Sequence, residues 1–328
     1  MKSNDTSKKT TSTFFSTFLQ VGYQAIHTTA TLLKIMIPVT IIVKILHELG
    51  FIDIIGSMLS PAMQFLGLPG ETGLVWATAM ITNIYGGLLV YISIAGEQVF
   101  SIAEVTVLAT MILIAHSLPV EVSIARKAGV SAWFTLLLRI GSAILIGWML
   151  HLFLSSFRLL TQPAQMTWQA ETNEMSLISW FLRQIQNYVM IFLIIFAMLL
   201  LMKTLEKLGI IEKINRFFEP GLNLIGLSKN AAPITIIGVT LGLSYGGGLI
   251  ITEARSGKLG RKDAFLSVSL MGLSHSLIED TILMLTIGAS LLGIFFFRVF
   301  FTLLVIVLLV KLIRKISEKT FFQFLYHH

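Results

Sequence analysis

The chain repeats itself. Leu49-Gly50-Phe51-Ile52 returns as Leu208-Gly209-Ile210-Ile211, Pro61 as Pro220, and Gly67-Leu68 as Gly226-Leu227. Tyr85-Gly86-Gly87-Leu88 returns as Tyr245-Gly246-Gly247-Gly248, His116-Ser117-Leu118 as His275-Ser276-Leu277, and Arg139 as Arg298. The offset is 159 throughout (49 to 208, 116 to 275), except 160 at the Tyr-Gly-Gly site, where one inserted residue suffices. Chance gives one such match but not six in order, so the chain is a duplication of a unit of about this length.

The solvent of that unit follows from composition. Of 328 residues, 55% are hydrophobic and 12% charged, with a mean hydropathy of +0.84; soluble domains carry about 25% charged residues. A water-soluble fold could not hide this much apolar surface, so the bilayer is the solvent. With no cysteine, there is no disulfide framework, no thiolate metal site and no thiol nucleophile. The N-terminus, MKSNDTSKKTTST, reads as a polar tail. No apolar core with a small-residue cleavage site follows it closely, so it does not read as a signal peptide.

Each half parses alike: a span (about 31–49 and 180–202), a shorter interfacial segment (50–67 and 203–219), a stretch interrupted by Tyr-Gly-Gly (71–96 and 230–252), and two further spans (103–126 and 130–154; 263–285 and 288–310). In the second interfacial segment Leu205, Leu208, Ile211, Ile214 and Phe218 share a stripe, with Lys203, Lys207, Lys213 and Arg216 elsewhere, as a helix lying on a membrane needs.

Charge decides how the interrupted stretches sit. If they are re-entrant hairpins, each half crosses three times and the second is inverted. With the N-terminus inside, 18 Lys and Arg then face inward and Arg158 alone outward. If the hairpins cross, the same set divides 12 to 7. Cytoplasmic loops are rich in Lys and Arg, so the re-entrant reading wins, and the net charge of +7 is a signature of topology with no call for nucleic acid. Each hairpin limb of roughly 12 residues reaches about 18 Å, near mid-bilayer. The tips then place Asn83, Tyr85 and Gly86 from outside, and Ser244, Tyr245 and Gly246 from inside, near the midplane. The expected fold is an all-α polytopic membrane protein of two inverted repeats, each with a span, an interfacial helix, a re-entrant hairpin and two further spans. Residues 1–30 are a cytoplasmic tail and lead-in, 31–155 the first repeat, 156–179 an external linker, 180–312 the second repeat and 313–328 a cytoplasmic tail. Inverted repeats with broken helices at the midplane are a recurring plan of secondary transporters.

At the Tyr-Gly-Gly hairpins and the His-Ser-Leu segments the chain resembles bacterial membrane proteins of the nucleoside-recognition (Gate) family. That family links concentrative nucleoside transporters, the membrane region of B-type ferrous-iron transporters and the spore-maturation A and B proteins. The resemblance runs from about 30 to 312 and is architectural more than motif-specific. It implies an inner-membrane protein whose hairpin tips and neighbouring broken spans hold the substrate, at positions matching Asn83, Tyr85, Tyr245, His116 and His275. The chain contains no P-loop sequence, so it lacks the GTP-binding domain of the iron transporters.

Arg139 and Arg298 lie mid-span, where an arginine costs at least about 2.5–3.5 kcal/mol and must face a partner or water. Two readings stand level: a packing ion pair with Glu121, Glu279 or Asp280, or an anion clamp in a transport path. His116 with Glu121, and His275 with Glu279 and Asp280, interrupt otherwise apolar spans, and Pro119 favours a break there. His275 and Glu279, four apart, are expected to share a helix face. This suits a proton relay, a cation site or a neutral brace, and the repetition favours function over an ordinary buried histidine. His-x3-Glu on one helix supplies only two metal ligands, so no metal is assigned, and no cofactor. No hydrolase or transferase signature is present, and an intramembrane metal enzyme ranks last. The leading expectation is an alternating-access secondary transporter for a small polar, anionic or zwitterionic solute. Its binding residues would be Asn83, Tyr85, Gly86, Tyr245, Gly246, Arg139 and Arg298, and its proton- or cation-coupling residues His116, Glu121, His275, Glu279 and Asp280. The alternative is a non-transporting membrane subunit that binds or gates a partner. A coupling ion and a homo-oligomer stay open.

Overall fold

The computed structural model describes residues 5–95, 98–166 and 176–327. The middle of the linker segment 156–179 and the extreme N-terminus lie outside this description, as does the side chain of Tyr245. Among the described residues, all regular structure is helical apart from two isolated bridges. A long helix, α1 (Asp5–Glu48), is followed by α2 (Phe51–Phe65), α3 (Thr72–Ile81), α4 (Ile84–Ala95), α5 (Ile102–Ile114), α6 (Leu118–Lys127) and α7 (Ala132–Ser156). The order then recurs: α8 (Leu177–Lys207), α9 (Ile210–Leu224), α10 (Ala231–Leu241), α11 (Leu243–Arg255), α12 (Arg261–Leu273), α13 (Glu279–Leu285) and α14 (Arg298–Lys315), the last entered through a π-helical turn, Leu292–Phe297. The pairs α2/α9 and α5/α12 keep the offset of the sequence repeat at both ends (51 to 210, 65 to 224; 102 to 261, 114 to 273). The single-residue insertion falls at the end of α10, which is one residue longer than α3.

Among the described residues, five helical stretches are long and apolar enough to cross a membrane: Phe18–Glu48, Ile102–Lys127, Ala132–Ser156, Leu177–Lys207 and Leu292–Lys315. The expected span over 263–285 is divided, because α12 stops at Leu273 and α13 starts only at Glu279. Its counterpart 102–127 has the same interruption between Ile114 and Leu118, but a narrower one. The first span starts far earlier than position 31. Val21 and Ala25 are buried, Phe18 meets Phe196 edge-to-face at 5.2 Å, and so the lead-in continues α1 along α8. The outer sides of α1, α7 and α8 display Ile42, Leu137, Leu182 and Leu193 at half exposure or more. In water this would be a large penalty; in lipid it is the ordinary boundary of the fold.

The interrupted stretches double back. A Cβ placed on Gly87 would sit 3.3 Å from the Val75 carbonyl oxygen; twelve residues along one straight helix would separate them by about 18 Å. In the second copy a Cβ on Gly246 would run into the Cα of Gly238. Each hairpin is therefore zipped by glycines facing small residues, as packing in a membrane favours. The tips differ. Asn83 Oδ1 accepts the Gly86 N–H at 2.9 Å and caps α4, whereas the second tip turns at Gly242, whose φ of +92° suits a residue without a Cβ. The feet of the second hairpin stand together, since Asp263 Oδ1, at the start of α12, accepts the Ser228 N–H at 3.1 Å. Gly246→Ala is expected to destabilise the protein by about 1–3 kcal/mol through backbone overlap. Gly248→Ala, where a Cβ meets open space, is expected to be neutral or to stabilise by about 0.5–1 kcal/mol. Unfolding of the two variants in detergent micelles checks the contrast.

The C-terminal segment is folded onto the bundle. Phe321 packs on Phe265 at 5.5 Å, and Leu325 and His327 pair with Ser131 and Gly129 of the α6–α7 loop, the His327 N–H donating to the Gly129 carbonyl at 2.7 Å. At the other end, the loop around Gly288 lies against Gln165, and Ile102 and Ala103 donate to the carbonyls of Gln162 and Leu160.

Candidate functional site

The site is built from the two helix breaks. After Ile114 the chain leaves α5, Ser117 adopts φ +49°, and α6 restarts with Pro119 in its first turn. In the second half Ser276 adopts φ +48° between α12 and α13. A left-handed serine is uncommon and costs of order 1 kcal/mol or more, held only where surrounding structure demands it. Each hairpin supplies part of that demand. Ser117 N–H donates to the Ala79 carbonyl on α3 at 2.9 Å, and Leu277 N–H to Val239 on α10 at 3.0 Å. The breaks and the hairpins are thereby one assembly in each half.

Breaking a helix inside an apolar medium leaves carbonyls without partners. The two mid-span arginines meet them. Both are fully buried, at 0% exposure. Arg139 Nε donates to the Ile114 carbonyl at 2.8 Å. Arg298 Nε donates to Leu273 at 3.2 Å, and its Nη2 to His275 at 3.0 Å and, across the halves, to Leu113 at 3.1 Å. A guanidinium at the C-terminal end of a helix also answers the negative pole of its dipole. Each arginine keeps one Nη, Nη2 of Arg139 and Nη1 of Arg298, with no hydrogen-bond acceptor among the described residues. The packing role weighed from the sequence is thus realised with Glu121, which forms a close ion pair with Arg139, and one donor per arginine remains beyond it.

The two histidines meet. Their rings lie 5.1 Å apart, both buried. His116 Nδ1 lies 2.8 Å from the Ile112 carbonyl and His275 Nδ1 2.9 Å from that of Met271. A carbonyl only accepts, so Nδ1 carries the proton on both rings and Nε2 faces inward. Glu121 sits between them, with Oε1 at 3.6 Å from each Nε2 and Oε2 turned to Arg139. Asp280 is buried beside this group, with one ligand atom each from His116, His275 and Asp280 mutually within 4.8 Å. Glu279 is only partly buried. Tyr85, on α4 at the first hairpin tip, packs against the core that also holds Leu283, Met284 and Ile287 of the second half.

Most residues singled out from the sequence converge here: His116, Glu121, Arg139, His275, Asp280 and Arg298, with Glu279 and Tyr85 at the margin. Asn83 and Gly86 are engaged in the turn of the first tip, and Gly246 in hairpin packing. The placement of Tyr245's side chain lies outside the described residues. One expectation is corrected. His275 and Glu279 do not share a helix face, because α13 begins at Glu279 and His275 belongs to the break before it. The polar Ser274–Ser276 run ends the helix, and His275 turns to His116 and Glu121 of the other half instead. The encounter of the two histidines was missed. Their equal standing in the repeat was the one signal in the sequence that pairs them.

The family model described as "Gate: Nucleoside recognition" matches residues 188–295. Among curated proteins, the chain is similar to "Uncharacterized membrane protein YvoD" of Bacillus subtilis (strain 168), with 25% identity over 288 residues covering 86% of this chain and 89% of that one. No solved structure matches. The chain is a membrane protein whose second half, over residues 188–295, matches the nucleoside-recognition Gate model.

Proposed function

We propose that the protein is a secondary transporter for a small polar, anionic or zwitterionic solute, working by alternating access between two inverted halves of a bacterial inner-membrane protein with both termini in the cytoplasm. The observation that carries this reading is the meeting of equivalent residues, His116 with His275, at helix breaks that each hold a hairpin. Broken helices meeting across a pseudo-two-fold at a buried polar centre are what such transporters use.

The inverted topology has support from three contacts. The joined feet Ser228 and Asp263 suit a second hairpin that returns to its side of entry. His327 against Gly129 and Gly288 against Gln165 each pair segments that share a side if the hairpins are re-entrant and lie on opposite sides if they cross. The free Nη of each arginine favours an anionic group on the solute, and the paired imidazoles and acids favour coupling to protons. Ion-gradient energy suits a sequence without a P-loop motif.

Proteoliposomes loaded by pH jump and offered labelled nucleosides, carboxylates and amino acids test the reading. At least one solute is expected to accumulate, to be released by a protonophore, and to enter at a rate at least about a hundredfold lower with Glu279→Gln, the low end of what one proton-transferring group contributes. Absence of flux for the whole panel, together with a stoichiometric co-purifying protein, would favour the membrane-subunit reading instead.

A further inference from the structure

We infer that His116, His275, Glu121 and Asp280 form a binding site for a first-row divalent metal ion of the zinc type, with ligands from both halves of the chain. The inference goes beyond the transport reading and does not depend on it.

Since both Nδ1 atoms donate to backbone carbonyls, both Nε2 atoms of the neutral rings present lone pairs. They face a carboxylate oxygen, Glu121 Oε1, which in the ionised form favoured by the Arg139 ion pair only accepts. Three acceptors thus confront one another with no donor between them, in a buried place where the repulsion is little screened. The two N···O separations of 3.6 Å are too long for hydrogen bonds. They are close to the edge of a tetrahedron whose corners lie about 2.0–2.1 Å from a central ion. Asp280 adds a further oxygen. It is 8% exposed, and its Oδ2 has no hydrogen-bond partner among the described residues. The ligand atoms of His116, His275 and Asp280 lie mutually within 4.8 Å, so some point lies within about 2.8 Å of all three, and the side chains close by about 0.7 Å to reach bonding distance.

The surroundings are those of a metal site as well. Nδ1–H bonded to a carbonyl fixes the tautomer and orientation of a ligating histidine, and a ligating carboxylate is normally held by a second partner. Arg139 holds Glu121 Oε2 in this way. Two imidazole nitrogens with carboxylate oxygens select zinc or its first-row neighbours over calcium and magnesium, which favour all-oxygen cages. Arg139 and Arg298 are balanced by Glu121 and Asp280, and Glu279 adds an acid at the margin.

The test uses full-length protein in detergent with His327 and His328 both replaced by alanine, so that the terminal pair binds nothing. After chelation and dialysis, Zn2+ alone is expected to bind at one equivalent by elemental analysis and to raise the melting temperature with concentration. His116→Asn and His275→Asn keep a side-chain amide to donate to the same carbonyl but lack Nε2. Each is expected to melt near the metal-free parent and to bind Zn2+ more than about a hundredfold more weakly, beyond the 10–100-fold typical of outer-shell changes. Retention of full affinity in either variant, or no stoichiometric Zn2+ in the parent, overturns the inference. Should an asparagine variant fail to fold, Co2+ loading of the parent decides: d–d bands of four-coordinate intensity are expected, and weak six-coordinate bands overturn it.

Discussion

Glu121→Ala will lower the stability of the folded protein by about 3–5 kcal/mol, because it strands the guanidinium of Arg139 in a buried site without its counter-ion. Arg139 is wholly inaccessible and Glu121 nearly so, at 6%, so water cannot take the place of the lost carboxylate. The pair itself is a different matter. Replacing both members by apolar residues of similar size, Glu121→Leu with Arg139→Met, removes the stranded charge, and buried pairs exchanged in this way are often neutral. Here the double variant should recover only part of the loss, since Arg139 Nε also serves the Ile114 carbonyl, a charge-assisted bond of about 1.5–3 kcal/mol. Thermal or SDS unfolding of the two single variants and the double variant closes the cycle. A Glu121→Ala loss below about 1 kcal/mol, the range of an exposed pair, would mean that the two side chains are not joined in solution.

Arg298→Lys will be as damaging as Arg298→Met, although it keeps the charge. The side chain serves three carbonyls with a fork: Leu273 from Nε, and both His275 and Leu113 from Nη2. A lysine ammonium is a single point on a flexible stem and cannot span them. Two or more buried carbonyls then lose a charged donor, at about 1.5–3 kcal/mol each, for an expected total above about 3 kcal/mol. The two arginines are not equivalent in this respect. Arg139 bonds within its own half, while Arg298 reaches Leu113 of the other. Cross-linking between cysteines introduced on α5 and α12 should therefore fall in Arg298→Lys and persist in Arg139→Lys. Equal cross-linking in both would show that the Leu113 contact does not hold the halves together.

The architecture was largely legible because the bilayer leaves few options. Backbone groups in lipid must be paired internally, so apolar runs of this length read as helices, and the repeated Tyr-Gly-Gly and His-Ser-Leu marks located the hairpins and breaks closely. Two elements depart from what the sequence suggests. The start of α1 was hidden because Ser, Thr and Lys at 2–13 lower the local hydropathy, while the apolar contacts of Val21, Ala25 and Phe18 with α8 emerge only in packing. The C-terminal segment reads as a tail, yet its aromatic residues pack on Phe265 and the α6–α7 loop. Local sequence carries no sign of a partner so distant along the chain.

The sequence by itself determined that this protein is helical, lives in a membrane and is built twice over, because composition, glycine placement and the constant spacing between copies are properties of the chain alone. It also marked which ionisable residues lie at mid-span. Only the tertiary structure decided what those residues do to one another. Whether Arg298 serves its own helix or its neighbour's depends on how the two copies pack against each other. So does the choice of His275 between Glu279, close by in the chain, and His116, its own counterpart in the first half. These contacts are between residues far apart in sequence, and no local pattern records them.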